Sequence, residues 1–166
     1  MESLILDRKQ LLQKINRIAI EIYEHNFQEP EIVIAGIASN GYIFAGLVRN
    51  ELERIATNCT VSLIQIELDK SAQTQTAIAS DLPLNECANK VIILVDDVLN
   101  TGRVLAYALQ PFLTIPTKKI QTAVMIDRSH QHYPIMADFV GYSLATTFKE
   151  HVEVCFEDNR YGVFLH

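Results

Sequence analysis

The run Val91-Ile92-Ile93-Leu94-Val95, which leads into the adjacent carboxylates Asp96 and Asp97, constrains this chain more than any other stretch. An apolar run of strand length without polar alternation predicts a strand buried on both faces, as in a parallel sheet covered by helices. Beyond the acids, Asn100-Thr101-Gly102 reads as a turn and Val104 to Leu109 as a helix. Polar groups placed where such a strand stops fall at the carboxyl edge of the sheet, where open α/β folds bind ligands. The turn offers main-chain N–H groups and a helix start, which suit a phosphate. Two carboxylates repel an anion, so they fit beside that turn only if the ligand also brings hydroxyls or a divalent cation. A sugar phosphate meets both demands. An isolated Asp-Asp pair describes a solvated strand end equally well; the turn and helix attached to it favour the ligand.

The rest of the chain alternates strands and helices. Asp7 with Gln10 three residues later reads as a capped helix start, and Leu11, Leu12, Ile15, Ile18, Ala19 and Ile22 recur at helical spacing up to Asn26 and Pro30. Glu31 to Ile37 is a buried strand that ends in the small-residue turn Ala38-Ser39-Asn40-Gly41, and Tyr42 to Ala56 is helical. Thr60 to Leu68 is the next strand, followed by a polar, irregular segment from Asp69 to Asn89. Lys119 to Ile126 forms a fourth strand, with Asp127-Arg128-Ser129-His130 at the presumed ligand edge. His151 to Phe156 and Tyr161 to Leu165 alternate with period two around Asp158-Asn159. They predict a C-terminal antiparallel hairpin that extends the sheet or packs over it.

The stretch Val95-Asp96-Asp97-Val98-Leu99-Asn100-Thr101-Gly102-Arg103 resembles the phosphoribosyl pyrophosphate (PRPP) signature of type I phosphoribosyltransferases. More closely, it resembles the version found in bifunctional pyrimidine operon attenuator/uracil phosphoribosyltransferases. The likeness runs from about Leu6 to Gly141 and includes Arg17-Ile18-Ala19 in the first helix. After the fourth strand it includes Asp127, Arg128, His130, Pro134, Ile135, Asp138, Val140 and Gly141. It implies an α/β fold over residues 1–166, a single domain with a parallel sheet flanked by helices, a small hood and the C-terminal hairpin. It also implies transfer of ribose 5-phosphate from PRPP to a nucleobase, uracil in the nearest likeness, with release of pyrophosphate.

The resemblance assigns roles residue by residue. Asp96 and Asp97 hold the ribose hydroxyls, and the stretch from Val98 and Leu99 through Asn100, Thr101, Gly102 and Arg103 forms the PRPP cradle, with its last four residues on the 5-phosphate. Ala38, Ser39, Asn40 and Gly41 form the pyrophosphate loop, and Lys70 stands at the start of a lid. The main chain of Met125, Ile126, Asp127 and Arg128 faces the base, with Asp127 the candidate for contact with the base or its proton. Asp96, Asp97 and Asp127 are thus the expected catalytic residues. Mg2+ is expected to be held mainly through PRPP rather than by a protein cage, and the chain to form a homodimer or larger homo-oligomer.

Three departures from the pattern point to slower chemistry. Asn40 stands where the family carries an Arg, which removes a fixed charge and a five-donor fork from the pyrophosphate loop. The lid is short, with Lys70 its one cation before a neutral polar run, and Val104 replaces a hydroxyl residue after Arg103. These departures leave open a weakened descendant that binds PRPP or a nucleotide as a sensor or partner subunit.

Charge and composition narrow the remaining classes. The 14 basic and 20 acidic residues give a net charge of −6, which weighs against broad nucleic-acid binding. Ile20, Gln131, Met136 and Tyr142 stand where an RNA-binding face would need polar or basic residues, although Arg17, Arg128 and His130 remain. RNA is therefore not an expected partner, and an RNA-binding pyrimidine operon regulator, which the resemblance also implies, is the least favoured reading. No apolar run reaches membrane-spanning length and Met1-Glu2-Ser3 does not open a signal peptide, so no membrane partner and a cytoplasmic location are expected. Cys59, Cys87 and Cys155 are widely spaced and read as free thiols, and His130-Gln131-His132 is a poor metal-ligand set.

Overall fold

The computed structural model describes residues 2–75 and 77–166. Strand β1 (Ser3–Leu6) leads into helix α1 (Arg8–Asn26), whose start is fixed by a complete capping box. The Asp7 carboxylate accepts from Gln10 N at 2.8 Å, and the Gln10 side chain accepts from Asp7 N at 2.9 Å. Strand β2 (Glu31–Ile37), helix α2 (Asn40–Ile55) and strands β3 (Thr60–Glu67) and β4 (Ala79–Ser80) follow. After a 3₁₀ turn at Leu84–Cys87 come β5 (Val91–Leu99), helix α3 (Arg103–Leu109), β6 (Lys119–Asp127), β7 (Phe139–Ser143) and the hairpin β8 (Val152–Glu157) and β9 (Arg160–Leu165).

The main sheet has six strands in the order β4-β3-β2-β5-β6-β7, parallel except for β4. Its two central strands, β2 and β5, are apolar on both faces, and the residues divide between two cores with period two. Ile32, Ile34, Val91, Ile93 and Val95 pack on one face with the α1 residues Ile15 and Ile22 and the α2 residues Phe44 and Leu52. Val33, Ala35, Ile92 and Leu94 pack on the other with Leu105 and Ala108 of α3 and Phe112.

The structure corrects several sequence expectations. Of the two placements expected for the C-terminal hairpin, extension of the main sheet is not realised. The hairpin joins β1 in a separate antiparallel sheet of order β1-β9-β8 and packs Val152, Val154 and Val163 into the core beside the main sheet. Neither Ser3–Leu6 nor Phe139–Ser143 stands out as a strand in the sequence, because each is short and gains its pairing only from a distant partner, β9 and β6 respectively. Helix α2 begins at Asn40, two residues earlier than its apolar spacing shows, so Asn40 and Gly41 belong to its first turn.

Replacing the capping carboxylate leaves Gln10 N without its partner at a solvated helix end. Asp7→Ala is expected to lower unfolding free energy by about 1 kcal/mol, read as a shift of the denaturant midpoint with the slope unchanged.

Candidate active site

The site lies at the carboxyl ends of β2 and β5 and is built around the acid pair. Strand β5 does not stop at these residues: Val98 pairs with Ile126 and Leu99 with Asp127 of β6, so the pair is embedded in the sheet. The division between the two cores changes hand across the pair. Leu99 shares a core with Ile92 and Leu94, while Val98 packs with Val91, Ile93 and Val95. Each carboxylate accepts locally from the next main-chain N–H, Asp97 N to Asp96 Oδ1 and Val98 N to Asp97 Oδ1, both at 3.0 Å.

Asp96 is 3% exposed, a carboxyl group inside the central strand of the sheet. Lys70 from the segment after β3 compensates it: Lys70 Nζ lies 2.8 Å from Asp96 Oδ1 and 3.7 Å from Asp97 Oδ1. Burial, and then the charge of Asp97, push the Asp96 carboxyl up to about 7 against the pull of the Lys70 ammonium. Burial disfavours the charge on Lys70 as well, but the two carboxylates outweigh it and hold the ammonium above its ordinary range.

Helix α2 approaches this carboxyl so closely that only glycine fits at its second residue. A Cβ on Gly41 would stand 2.7 Å from Asp96 Oδ1, 3.0 Å from Asp96 Cα and 3.1 Å from Val95 O. On the other side, the turn after β5 closes through Gly102 at φ +86°, a conformation that favours glycine. Thr101 O accepts from His132 N at 2.8 Å and Tyr133 N at 3.1 Å, which braces the turn from the segment after β6. Arg103 Nη2 reaches back to Lys70 O at 2.6 Å.

Two adjoining cavities share these groups. One of about 150 Å³ is lined by Asn100, Thr101, Gly102 and Arg103 together with Lys70 and Asp96. The other, about 280 Å³, runs from Asp96, Asp97 and Lys70 past Asn40 and Arg128 to His151 and the β8 residues Val152 to Val154, in the small antiparallel sheet that forms the hood over this edge. The structure therefore brings together the acid pair, the cradle turn, Asn40 and Lys70, which lie far apart in sequence.

Other expected site residues have different surroundings. Met125 and Ile126 are fully buried in the core. Asp127 lines neither of the two cavities: its Oδ1 accepts from Ser129 N at 2.8 Å and Gln131 Nε2 at 3.1 Å, and its carbonyl accepts from Leu144 N at 2.9 Å. Arg128, 6% exposed, does not pair with Asp127. Its guanidinium donates to Thr146 Oγ1 at 2.8 Å and to the carbonyls of Thr147 at 3.2 Å and Glu150 at 2.8 Å. It is spent on holding the 144–150 segment, as is His130, whose Nε2 lies 2.6 Å from Thr146 O.

Asn40 donates through Nδ2 to Val154 O at 2.8 Å and ties the loop after β2 to the hood. Sequence reasoning missed the hood wall, His151 to Val154, because a period-two hairpin carries no sign of what it will face. Among the described residues one cluster of metal-ligating groups occurs elsewhere, Glu2, Glu153 and His166, and the Arg160 guanidinium already bridges its two carboxylates.

Comparison with known proteins agrees with this geometry. Residues 2–159 match the model of the phosphoribosyl transferase domain. The chain belongs to the phosphoribosyl transferase family. It is 33% identical to the bifunctional protein PyrR of Staphylococcus epidermidis over 174 aligned residues, covering 99% of this chain and 98% of that protein. It is 34% identical to the bifunctional protein PyrR of Pasteurella multocida, covering 93% of this chain and 90% of that protein. Among solved structures, the hypoxanthine phosphoribosyltransferase of Trypanosoma cruzi shares the fold with a TM-score of 0.77 at 15% identity, covering 98% of this chain and 95% of that one. A hypoxanthine-guanine phosphoribosyltransferase of Bacillus anthracis does so at 0.76 and 20%, with the same coverage. The fold of this phosphoribosyltransferase is thus the α/β fold expected from the sequence.

Two outcomes test the packing of the site. Gly41→Ala is expected to lower stability by a few kcal/mol, on the scale of overpacking a filled core, because two of its three close contacts are main-chain atoms. Its midpoint, set against that of Gly46→Ala, where the nearest atom is 3.7 Å away, measures the effect. For Asp96, the native carboxyl titrates about 7 and the unfolded one at about 4, so between these values the native state binds the additional proton. The cost of burying its charge is absent below about pH 4, grows as pH rises and is complete above 7. Asp96→Asn is expected to raise the unfolding midpoint over wild type above pH 7, with the gain shrinking to nothing by about pH 4.

Proposed function

We propose that this chain transfers the ribose 5-phosphate of PRPP to a nucleobase nitrogen and releases pyrophosphate, with uracil the first base to test. The observation that supports this reading is the buried Asp96, adjacent to the half-buried Asp97, sharing a cavity wall with the glycine turn. Asp96 and Asp97 accept from the ribose hydroxyls, while Asn100 to Arg103 take the 5-phosphate. The C1–O bond to pyrophosphate breaks as the C1–N bond forms, and the base proton passes to solvent. Positioning and stabilisation of developing charge carry such a displacement.

The residues fit a divalent cation: two carboxylates face one ammonium at the pair, which leaves negative charge to offset. Mg2+ held there through PRPP oxygens, beside Asp96 and Asp97, would supply charge neutralisation to the leaving pyrophosphate. Asp127, whose Oδ1 is held by Ser129 N and Gln131 Nε2, is the candidate for contact with the base in this reading. The same reading carries a cytoplasmic enzyme of pyrimidine salvage, working as a homodimer or larger homo-oligomer.

A second reading, a weakened PRPP or nucleotide sensor, draws on Asn40, whose amide is engaged by Val154 O in a loop that lacks the family's Arg. One experiment separates the two: calorimetric titration with PRPP and Mg2+, then pyrophosphate release across a panel of bases. Binding with release from uracil is the expected outcome, strengthening as pH rises through about 7 because Asp96 must lose its proton to accept from the hydroxyls. Binding without release from any base supports the sensor. Asn40→Arg is expected to raise kcat/KM about tenfold or more, on the scale of one added donor to developing charge; no gain would place the rate limit elsewhere.

A further inference from the structure

We propose that Lys70 is a built-in occupant of the ribose 5-phosphate site, a latch that substrate must displace on both sides at once. This rests on the assignment of the acid pair and the cradle turn as that site.

Lys70 is held at two points. Its ammonium sits 2.8 Å from Asp96 Oδ1 and 3.7 Å from Asp97 Oδ1, at the oxygens that would accept from the ribose hydroxyls. Its carbonyl accepts from Arg103 Nη2 at 2.6 Å, the guanidinium at the end of the phosphate turn. One residue therefore satisfies the acidic and the basic half of the site together. Its side chain is only partly exposed and lines both cavities. In this state the buried Asp96 carboxylate has a charged partner and Arg103 an oxygen acceptor without any ligand, as groups of this kind require.

A ligand that carries both a diol and a phosphate replaces both contacts. A ligand with one of the two replaces one and leaves Lys70 tethered by the other. The latch thus favours a sugar phosphate over inorganic phosphate or a free sugar, and it lowers apparent affinity by the fraction of molecules that are unlatched. Displacement also frees the ammonium within the cavity that Lys70 shares with Asn40, beside the loop that lacks a cation of its own.

Ordinary electrostatics and the latch give opposite signs for one substitution. Removing an ammonium from an anion site weakens anion binding unless that ammonium was obstructing the site. The test is calorimetric titration of the full chain with ribose 5-phosphate in metal-free buffer, for wild type, Lys70→Met and Lys70→Arg. PRPP with Mg2+ is titrated in parallel. The expected result is about tenfold tighter ribose 5-phosphate binding by Lys70→Met, with Lys70→Arg close to wild type. Equal or weaker binding by Lys70→Met, while wild type binds Mg2+ and PRPP, overturns the latch alone. Failure of wild type to bind PRPP overturns the assignment of the site, and the latch with it.

Discussion

A carboxylate in the middle of a parallel sheet is the constraint to which the rest of this molecule answers. Asp96 lies in β5, where it pairs with Val124 of β6 one residue beyond the last β2 pair, Gly36 with Val95, and is 3% exposed. A charge so placed is costly unless partners converge on it. Three segments do so. Helix α2 presents Gly41, whose missing side chain lets it come up against the carboxyl. The segment after β3 supplies the Lys70 ammonium, and Asp97 offers the N–H that follows in the strand. A carboxyl buried at such a cost marks a candidate functional site.

Around that centre, polar ties rather than apolar packing decide the shape of the site. Asn40 binds the α2 start to β8, Arg128 binds the end of β6 to the 144–150 segment, and Thr101 O receives the 132–133 main chain. Each tie joins the edge of the main sheet to a neighbouring segment of the chain. The Arg128 guanidinium illustrates the cost, since a cation that could have met an anion is consumed in building the wall. With Asn40 engaged and Lys70 on the acid pair, the cations of this site are committed to protein partners in the unliganded chain. The family resemblance in sequence could not show this, because it matches residue types and not what they bond to.

Much of the fold was legible because its signals are local. The apolar run before Asp96, the Asp7–Gln10 capping box and the period-two hairpin each specify backbone geometry within a few residues. The acid pair, the Thr-Gly turn and Arg103 were legible as a candidate site for the same reason: they are contiguous. Strands β1 and β7 were not, since four or five residues become a strand only when a partner stands beside them. The engagement of Asp127 was not legible, because nothing in its spacing shows that its carboxylate closes a turn onto Ser129 and Gln131.

The sequence by itself determined the order of the central strands and helices, the parallel sheet and the turn after β5, because periodicity, capping and turn chemistry act over short distances along the chain. Tertiary structure alone decided which groups meet. It brought Lys70 onto Asp96 across 26 positions and Asn40 onto Val154 across 114. It also buried Asp96 deeply enough to bring its carboxyl to about 7. Desolvation and hydrogen bonding depend on separation in space, and a chain reveals that separation only once it is folded.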